Sequence, residues 1–194
     1  MFPTSSTSSL VIKLNGDNSE IVNDVEERLK VYNDQAAGQY IDFHLDKLGP
    51  CETSPYGYGS TRPCLFFQLP LRMDWKPEQI TEEDFETHKE KLKGFREFWN
   101  SQSDKNQYWI DCTGVSEDDK EALGGFKYYP VEQGIQKKYY PYKGGGKYHS
   151  PLVAVQLDLN QRNIGQTIEM KCKVYFKDVT HDAGTLILSL KIEN

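Results

Sequence analysis

Nowhere does the 194-residue sequence hold the roughly 20 consecutive apolar residues that a membrane-spanning helix needs, so no segment of it reads as a transmembrane helix. Residues Met1 to Ser9 lack the basic start and apolar stretch of a secretory signal; being Ser/Thr-rich, they read as a linker-like tail. Positive charge is in short supply. With 23 Lys and Arg against 29 Asp and Glu, the formal net charge is −6. That argues against nucleic acid, whose binding needs a basic footprint, and against an anionic membrane surface as the main partner. There is no Cys-x-x-Cys, and His44, His88, His149 and His181 are scattered, so no set has metal-ligand spacing. There is no Gly-x-Ser-x-Gly elbow. Gly144-Gly145-Gly146-Lys147 lacks phosphate-loop spacing, with Tyr148 where Ser or Thr is needed, and reads as a flexible turn. Glu117-Asp118-Asp119 lacks the alternating ligands of a calcium loop and reads as a solvated loop. No catalytic residue, metal ligand or cofactor is assigned.

Apolar residues are also sparse, at 37%, with a mean hydropathy of −0.69. A core this lean calls for other bracing. Cys51, Cys64, Cys112 and Cys172 can supply it. Four cysteines permit three pairings. Cys51 and Cys64 flank a turn-rich loop with Pro55, Gly57, Gly59 and Pro63, which suits a local bridge and leaves Cys112 and Cys172 for a long-range staple. Such bridges persist in oxidising compartments; the alternative is four free thiols in the cytosol.

Leu10–Leu14 reads as a strand, and Asn15-Gly16-Asp17-Asn18 as a turn. From about Glu20 to Asn33 the apolar positions Ile21, Val25, Leu29 and Tyr32 have helical spacing, with Asp17, Asn18 or Ser19 as cap. Tyr40 to Leu48 alternates (Ile41, Phe43, Leu45 against Asp42, His44, Asp46) and predicts a half-buried strand. Leu65–Leu69 predicts another. A second helix opens at Thr81, with Phe85, His88, Leu92, Phe95 and Trp99 as its core-facing stripe. Residues 107–112, 152–159, 167–176 and 185–192 predict further strands. Short strands separated by turns point to a fold that is mainly β with flanking helices, arranged as a sandwich over residues 10–194 after a tail at 1–9.

Aromatics are plentiful, with 12 Tyr and 9 Phe. They concentrate in Tyr139-Tyr140-Pro141-Tyr142, followed by Lys143-Gly144. Three amphipathic rings around a proline form either a contact patch or a packed corner. Together with Pro151-Leu152-Val153-Ala154-Val155-Gln156, this segment resembles the Tyr-Tyr-Pro-Tyr-Tyr-Gly-Lys … Pro-Leu-Leu-Ala-Val-Gln signature of the β subunits of Na,K-ATPase and H,K-ATPase. Leu48-Gly49-Pro50-Cys51, Tyr56-Gly57-Tyr58, Arg62-Pro63-Cys64, Asp111-Cys112-Thr113-Gly114 and Glu169-Met170-Lys171-Cys172-Lys173 resemble its cysteine motifs, in the same order, from about residue 10 to the C-terminus. Trp75-Lys76-Pro77 and the helix after it look like the insect members.

The resemblance implies an immunoglobulin-like β-sandwich with disulfides Cys51–Cys64 and Cys112–Cys172, on the extracellular face of the plasma membrane. It implies a non-catalytic subunit that binds the catalytic α subunit of a P-type ATPase and supports its folding, export, stability and potassium transport. The α-contacting signature maps onto Tyr139, Tyr140, Pro141, Tyr142 and Gly144, with Tyr128 and Tyr129 as a neighbouring pair. A pump-independent adhesion protein with homophilic contacts is the alternative. The chain departs from the pattern in four ways. The family's membrane helix is not in it, Ile41 stands where a third disulfide's cysteine should be, no Asn-x-Ser/Thr sequon exists, and Lys143 replaces an aromatic. Either this is an ectodomain of a longer protein or an anchorless relative.

Overall fold

Alternating and continuous apolar runs become strands wherever a second sheet is available to cover them. The computed structural model describes residues 1, 3, 9–33, 43–69, 72–130, 132–144, 148–160, 162, 164–177 and 185–194. Most of the predicted tail, Ile41 and residues 145–147 lie outside the described residues; Met1 packs against the core. One sheet contains β1 (Ser9–Lys13), β3 (Gln107–Gly114), β5 (Gly134–Gln136), β7 (Thr167–Tyr175) and β8 (Thr185–Glu193), in the order β1-β8-β7-β3-β5. The other contains β2 (Cys64–Phe67), β4 (Gly125–Tyr129) and β6 (Val153–Asp158), in the order β2-β6-β4. Ile168, Met170 and Cys172 alternate inward from β7, while β2 and the apolar run of β6 are buried throughout. Together the sheets enclose one core and form an immunoglobulin-like β-sandwich. Among the described strands only β1 runs parallel to its neighbour, placing Leu10 beside Leu190 and Ile12 beside Ile192.

Helix α1 (Ser19–Asn33) lays Val25, Leu29 and Tyr32 onto this core, with Ile21 partly covered. Asp17 accepts from the Ser19 amide at 2.8 Å, whereas buried Asn18 turns its amide onto the main chain of Lys13 and fixes the end of β1. The strand expected over Tyr40 to Leu48 is not formed in its described part. Leu45–Cys51 is a 3-10 turn whose buried residues are Leu45, Leu48 and Cys51. Their period of three matches eclipsed 3-10 faces better than the two-residue period of a strand. The sulfur of Cys51 is bonded to that of Cys64 at the start of β2. Inside that loop Gly57 has φ +76°, and a Cβ there would lie 1.9 Å from the Arg62 carbonyl, so only glycine fits. The second disulfide joins Cys112 to Cys172, directly opposite each other on β3 and β7. These are the two pairs that the resemblance implies.

The single helix expected from Thr81 to Trp99 is two, α2 (Glu82–Thr87) and α3 (Phe95–Ser101): the first ends at His88, which leaves helical geometry (φ −122°, ψ 40°), and Gly94, with φ +82°, immediately precedes the second. Thr81 does open the first, with its amide and hydroxyl both donating to Asp84. The pair covers the outer face of β3 and β7: Phe95 stacks on Tyr175 at 3.7 Å, with Phe85, Leu92 and Trp109 around it. His88 from the predicted stripe stays half-exposed. Glu117-Asp118-Asp119 is not a loop but the first turn of α4 (Glu117–Leu123), which carries the chain from one sheet to the other. Asp119 accepts from the Ser116 amide and hydroxyl and, with its other oxygen, from the Glu169 amide of β7.

Candidate partner interface

Strand β5 ends in a 3-10 turn, Lys137–Tyr139, which delivers the tyrosine segment to the end of the sandwich. The turn splits that segment in two. Tyr139 and Tyr140 are only 7% and 5% exposed. Tyr140 packs edge-on against Trp75 and against Tyr108, each at 5.8 Å. Burial pushes its hydroxyl well above the usual tyrosine range. The Tyr139 carbonyl accepts from the Tyr148 hydroxyl at 2.6 Å. These two residues form a packed corner.

Beyond the Tyr140–Pro141 bond, which is cis, the chain turns outward. Pro141, Tyr142 and Gly144 are half-exposed and Lys143 is exposed. The Tyr142 carbonyl accepts from the Asp74 amide at 2.9 Å, which ties this stretch to residues 73–75. The Tyr142 ring lies 4.9 Å from that of Tyr148, whose hydroxyl burial pushes up to about 12. Met73, beside Gly144, is 69% exposed. The Lys143–Asp74 ion pair at 2.9 Å is solvent-exposed and worth well under about 1 kcal/mol. The outward surface is therefore Pro141, Tyr142, Gly144, Met73 and Tyr148, presented on the buried pair beneath.

Met73, Trp75 and Tyr148 were not among the candidate contact residues read from the sequence. A tryptophan and a methionine in an otherwise polar loop are the signal that could have found the first two.

Tyr128 and Tyr129 sit elsewhere, on β4. Tyr128 turns its hydroxyl inward, accepting from the Cys112 amide at 2.8 Å and pointing at Asp111 from 3.4 Å. Burial, reinforced by Asp111, pushes that hydroxyl well above its ordinary value. The ring of Tyr129 lies against Gly49, where a Cβ would come within 2.8 Å of it. This pair braces the fold more than it presents a surface. Among the described residues no helix is long and apolar enough to cross a membrane.

Comparison with known proteins adds a second line. The family model of the sodium/potassium ATPase beta chain matches residues 10–187. The chain is 31% identical over 142 residues, 73% of its length, to sodium/potassium-transporting ATPase subunit beta-1 of Drosophila melanogaster, covering 44% of that protein. It is 30% identical over 161 residues to subunit beta-2 of the same fly, with 80% of this chain and 49% of the relative covered. To the human subunit beta-2 the identity is 25% over 164 residues, with 77% and 47% covered. The chain thus spans about half the length of the curated relatives it matches.

Proposed function

The chain belongs to the sodium/potassium ATPase beta chain family, and on that premise we propose that it is the non-catalytic ectodomain of a cation-pump β subunit. In this reading residues 10–194 form the extracellular module. It binds the catalytic α subunit and thereby supports that subunit's folding, export, stability and potassium transport. The observation that carries the reading is the outward half of the tyrosine corner. Pro141, Tyr142 and Gly144 stand beside Met73, which is 69% exposed. Buried Tyr139 and Tyr140 hold that surface rigid, and a preorganised aromatic patch loses little entropy on binding. The two disulfides fit an oxidising, extracellular setting.

The roles within the signature differ accordingly. Tyr142, Pro141 and Gly144 touch the partner; Tyr139 and Tyr140 support them from inside, and Tyr128 and Tyr129 act only through the fold. Replacing Tyr142 and Met73 together with alanine should weaken co-purification with a P-type ATPase catalytic subunit by about ten- to a hundredfold, the loss of one to two hot-spot contacts, while melting stays unchanged. Undiminished co-purification removes this surface from the reading.

The adhesion alternative has one observation in its favour: Leu186 and Ile187 on β8 are 38% and 60% exposed. Concentration-dependent self-association abolished by Ile187→Glu would favour it.

A further inference from the structure

Tyr142 and Tyr148 lie ring against ring for two separate reasons. The Tyr148 hydroxyl donates to the Tyr139 carbonyl at 2.6 Å, which fixes the tip of that ring on the buried corner. Tyr142 is held through its main chain, because its carbonyl accepts from the Asp74 amide at 2.9 Å and the residue bridges to Met73. The ring centroids come to 4.9 Å, with the planes tilted by 41°. That is near the lower end of the roughly 4.5–7 Å over which aromatic rings pack. Both residues are half-exposed, so an oxidant reaches rings that the backbone already holds together.

Other tyrosines lack one condition or the other. Tyr108 and Tyr140 also touch, but their centroids are 5.8 Å apart, the rings meet edge-on at 80°, and the residues are only 0% and 5% exposed. Tyr32 packs on Phe43 and His149, Tyr56 on Phe66 and Tyr175 on Phe95, and these ring partners carry no phenol.

We propose that Tyr142 and Tyr148 are an oxidative cross-linking site, coupled into a dityrosine by hydrogen peroxide acting through a haem peroxidase. Each phenol gives up one electron and its hydroxyl proton. One peroxide takes both electrons and both protons, its O–O bond breaks, and two waters leave. The two phenoxyl radicals then pair their odd electrons in one new C–C bond, between ring carbons adjacent to those that carry oxygen. The hydrogens on these carbons move as protons to the oxygens and restore both phenols. The product is lighter than the separate pair by two hydrogens. Holding the reactants in contact favours this coupling over slower encounters between molecules. The new bond closes a ring across residues 143–147 and pins Tyr142 to the corner beneath it. The chemistry stands on the ring geometry alone. Only its effect on a partner rests on the proposed function: pinning takes the Tyr142 ring out of the contact face, so oxidised protein loses co-purification with the catalytic subunit.

The 194-residue chain is treated with hydrogen peroxide and a haem peroxidase at two protein concentrations, and its monomer fraction is digested with trypsin. Cleavage after Lys138, Lys143, Lys147 and Arg162 places the two rings on peptides 139–143 and 148–162. The expected product is one species with the summed mass of these peptides less two hydrogens. It shows dityrosine fluorescence, its fragments put the link at Tyr142, and its share is the same at both concentrations. It should vanish in Tyr142→Phe and in Tyr148→Phe, which keep the rings, and persist in Tyr129→Phe. Oxidation of Met73 adds an oxygen instead of removing hydrogen, so mass tells the two apart. Absence of the linked pair from the wild-type chain, its survival in either of the first two variants, or links found only between molecules overturns the proposal. Co-purification with a P-type ATPase catalytic subunit is measured before and after oxidation. Its absence before treatment refutes the pump reading and leaves the cross-link standing. Its loss after treatment in the wild-type chain but not in Tyr148→Phe supports the effect on the partner, and undiminished co-purification of the cross-linked protein refutes that effect alone.

Discussion

Tyr128 meets a local need that the strand pattern creates. On the β5 side of β3, Tyr108 and Ile110 find partners in β5 and in Gln133, but β5 has ended before Cys112. The Tyr128 hydroxyl takes that amide instead, at 2.8 Å. Tyr128→Phe should therefore destabilise the protein by about 1–3 kcal/mol, the cost of a buried amide left unpaired, seen as a lower denaturation midpoint; an unchanged midpoint would mean water replaces the hydroxyl. Next to it, burial raises the Asp111 carboxyl above its ordinary value, against the opposing pull of Tyr128 and the Cys112 amide. In the window between its unfolded and folded values the native state holds more protons than the unfolded state, so this residue's contribution to stability falls as pH rises through that window. Asp111→Asn should flatten the dependence there and stabilise the protein at neutral pH. A steeper dependence in denaturation curves from pH 3 to 7 would contradict this. At this scale the sequence was ambiguous for a physical reason: a tyrosine is apolar along its ring and polar at its tip, so burial cannot be inferred from residue type. Tyr139 and Tyr140 went inside and Tyr142 outward, and only the turn at Lys137–Tyr139 decides which.

Among the elements, those with strong periodicity were legible. β1, β6, β7, β8 and α1 lie within a residue or two of where apolar spacing puts them. The failures have separate causes. Residues 43–48 alternate over too few positions to distinguish period two from period three, and the Cys51–Cys64 bridge holds the tighter turn. The stripe from Phe85 to Trp99 is a true core face, but its continuity hid the break between His88 and Gly94. β4, β5 and α4 are short, and the charges of α4 masked a capping box in which Asp119 serves both the helix and β7. The α2–α3 cover stands or falls with Phe95, which stacks on Tyr175 and packs on Trp109. Phe95→Ala should cost about 3–5 kcal/mol and quench-shift the emission of Trp109 toward that of a solvated indole; a loss under about 1 kcal/mol would mean that the cover is not part of the cooperative core.

For the molecule as a whole, a core drawn from 37% hydrophobic residues is supplemented by two covalent staples. With sequence separations of 13 and 60 they close loops that, in the chain-entropy account, contribute about 3 and 4 kcal/mol. Complete reduction should therefore lower the melting temperature by 15 °C or more; a shift of only a few degrees would show that the core suffices without them. The family was legible in the sequence because its motifs are spaced along nearly the whole chain, and the comparisons agree over residues 10–187. The central claim is that the Tyr142 face meets a pump's catalytic subunit. Its most direct test places a benzophenone side chain at position 142, or at position 187 for comparison, and irradiates each protein with the detergent-solubilised catalytic subunit. The account predicts a covalent adduct from 142, mapping to an extracellular loop of that subunit, and none from 187. An adduct from 187 alone, or from neither position, would contradict it.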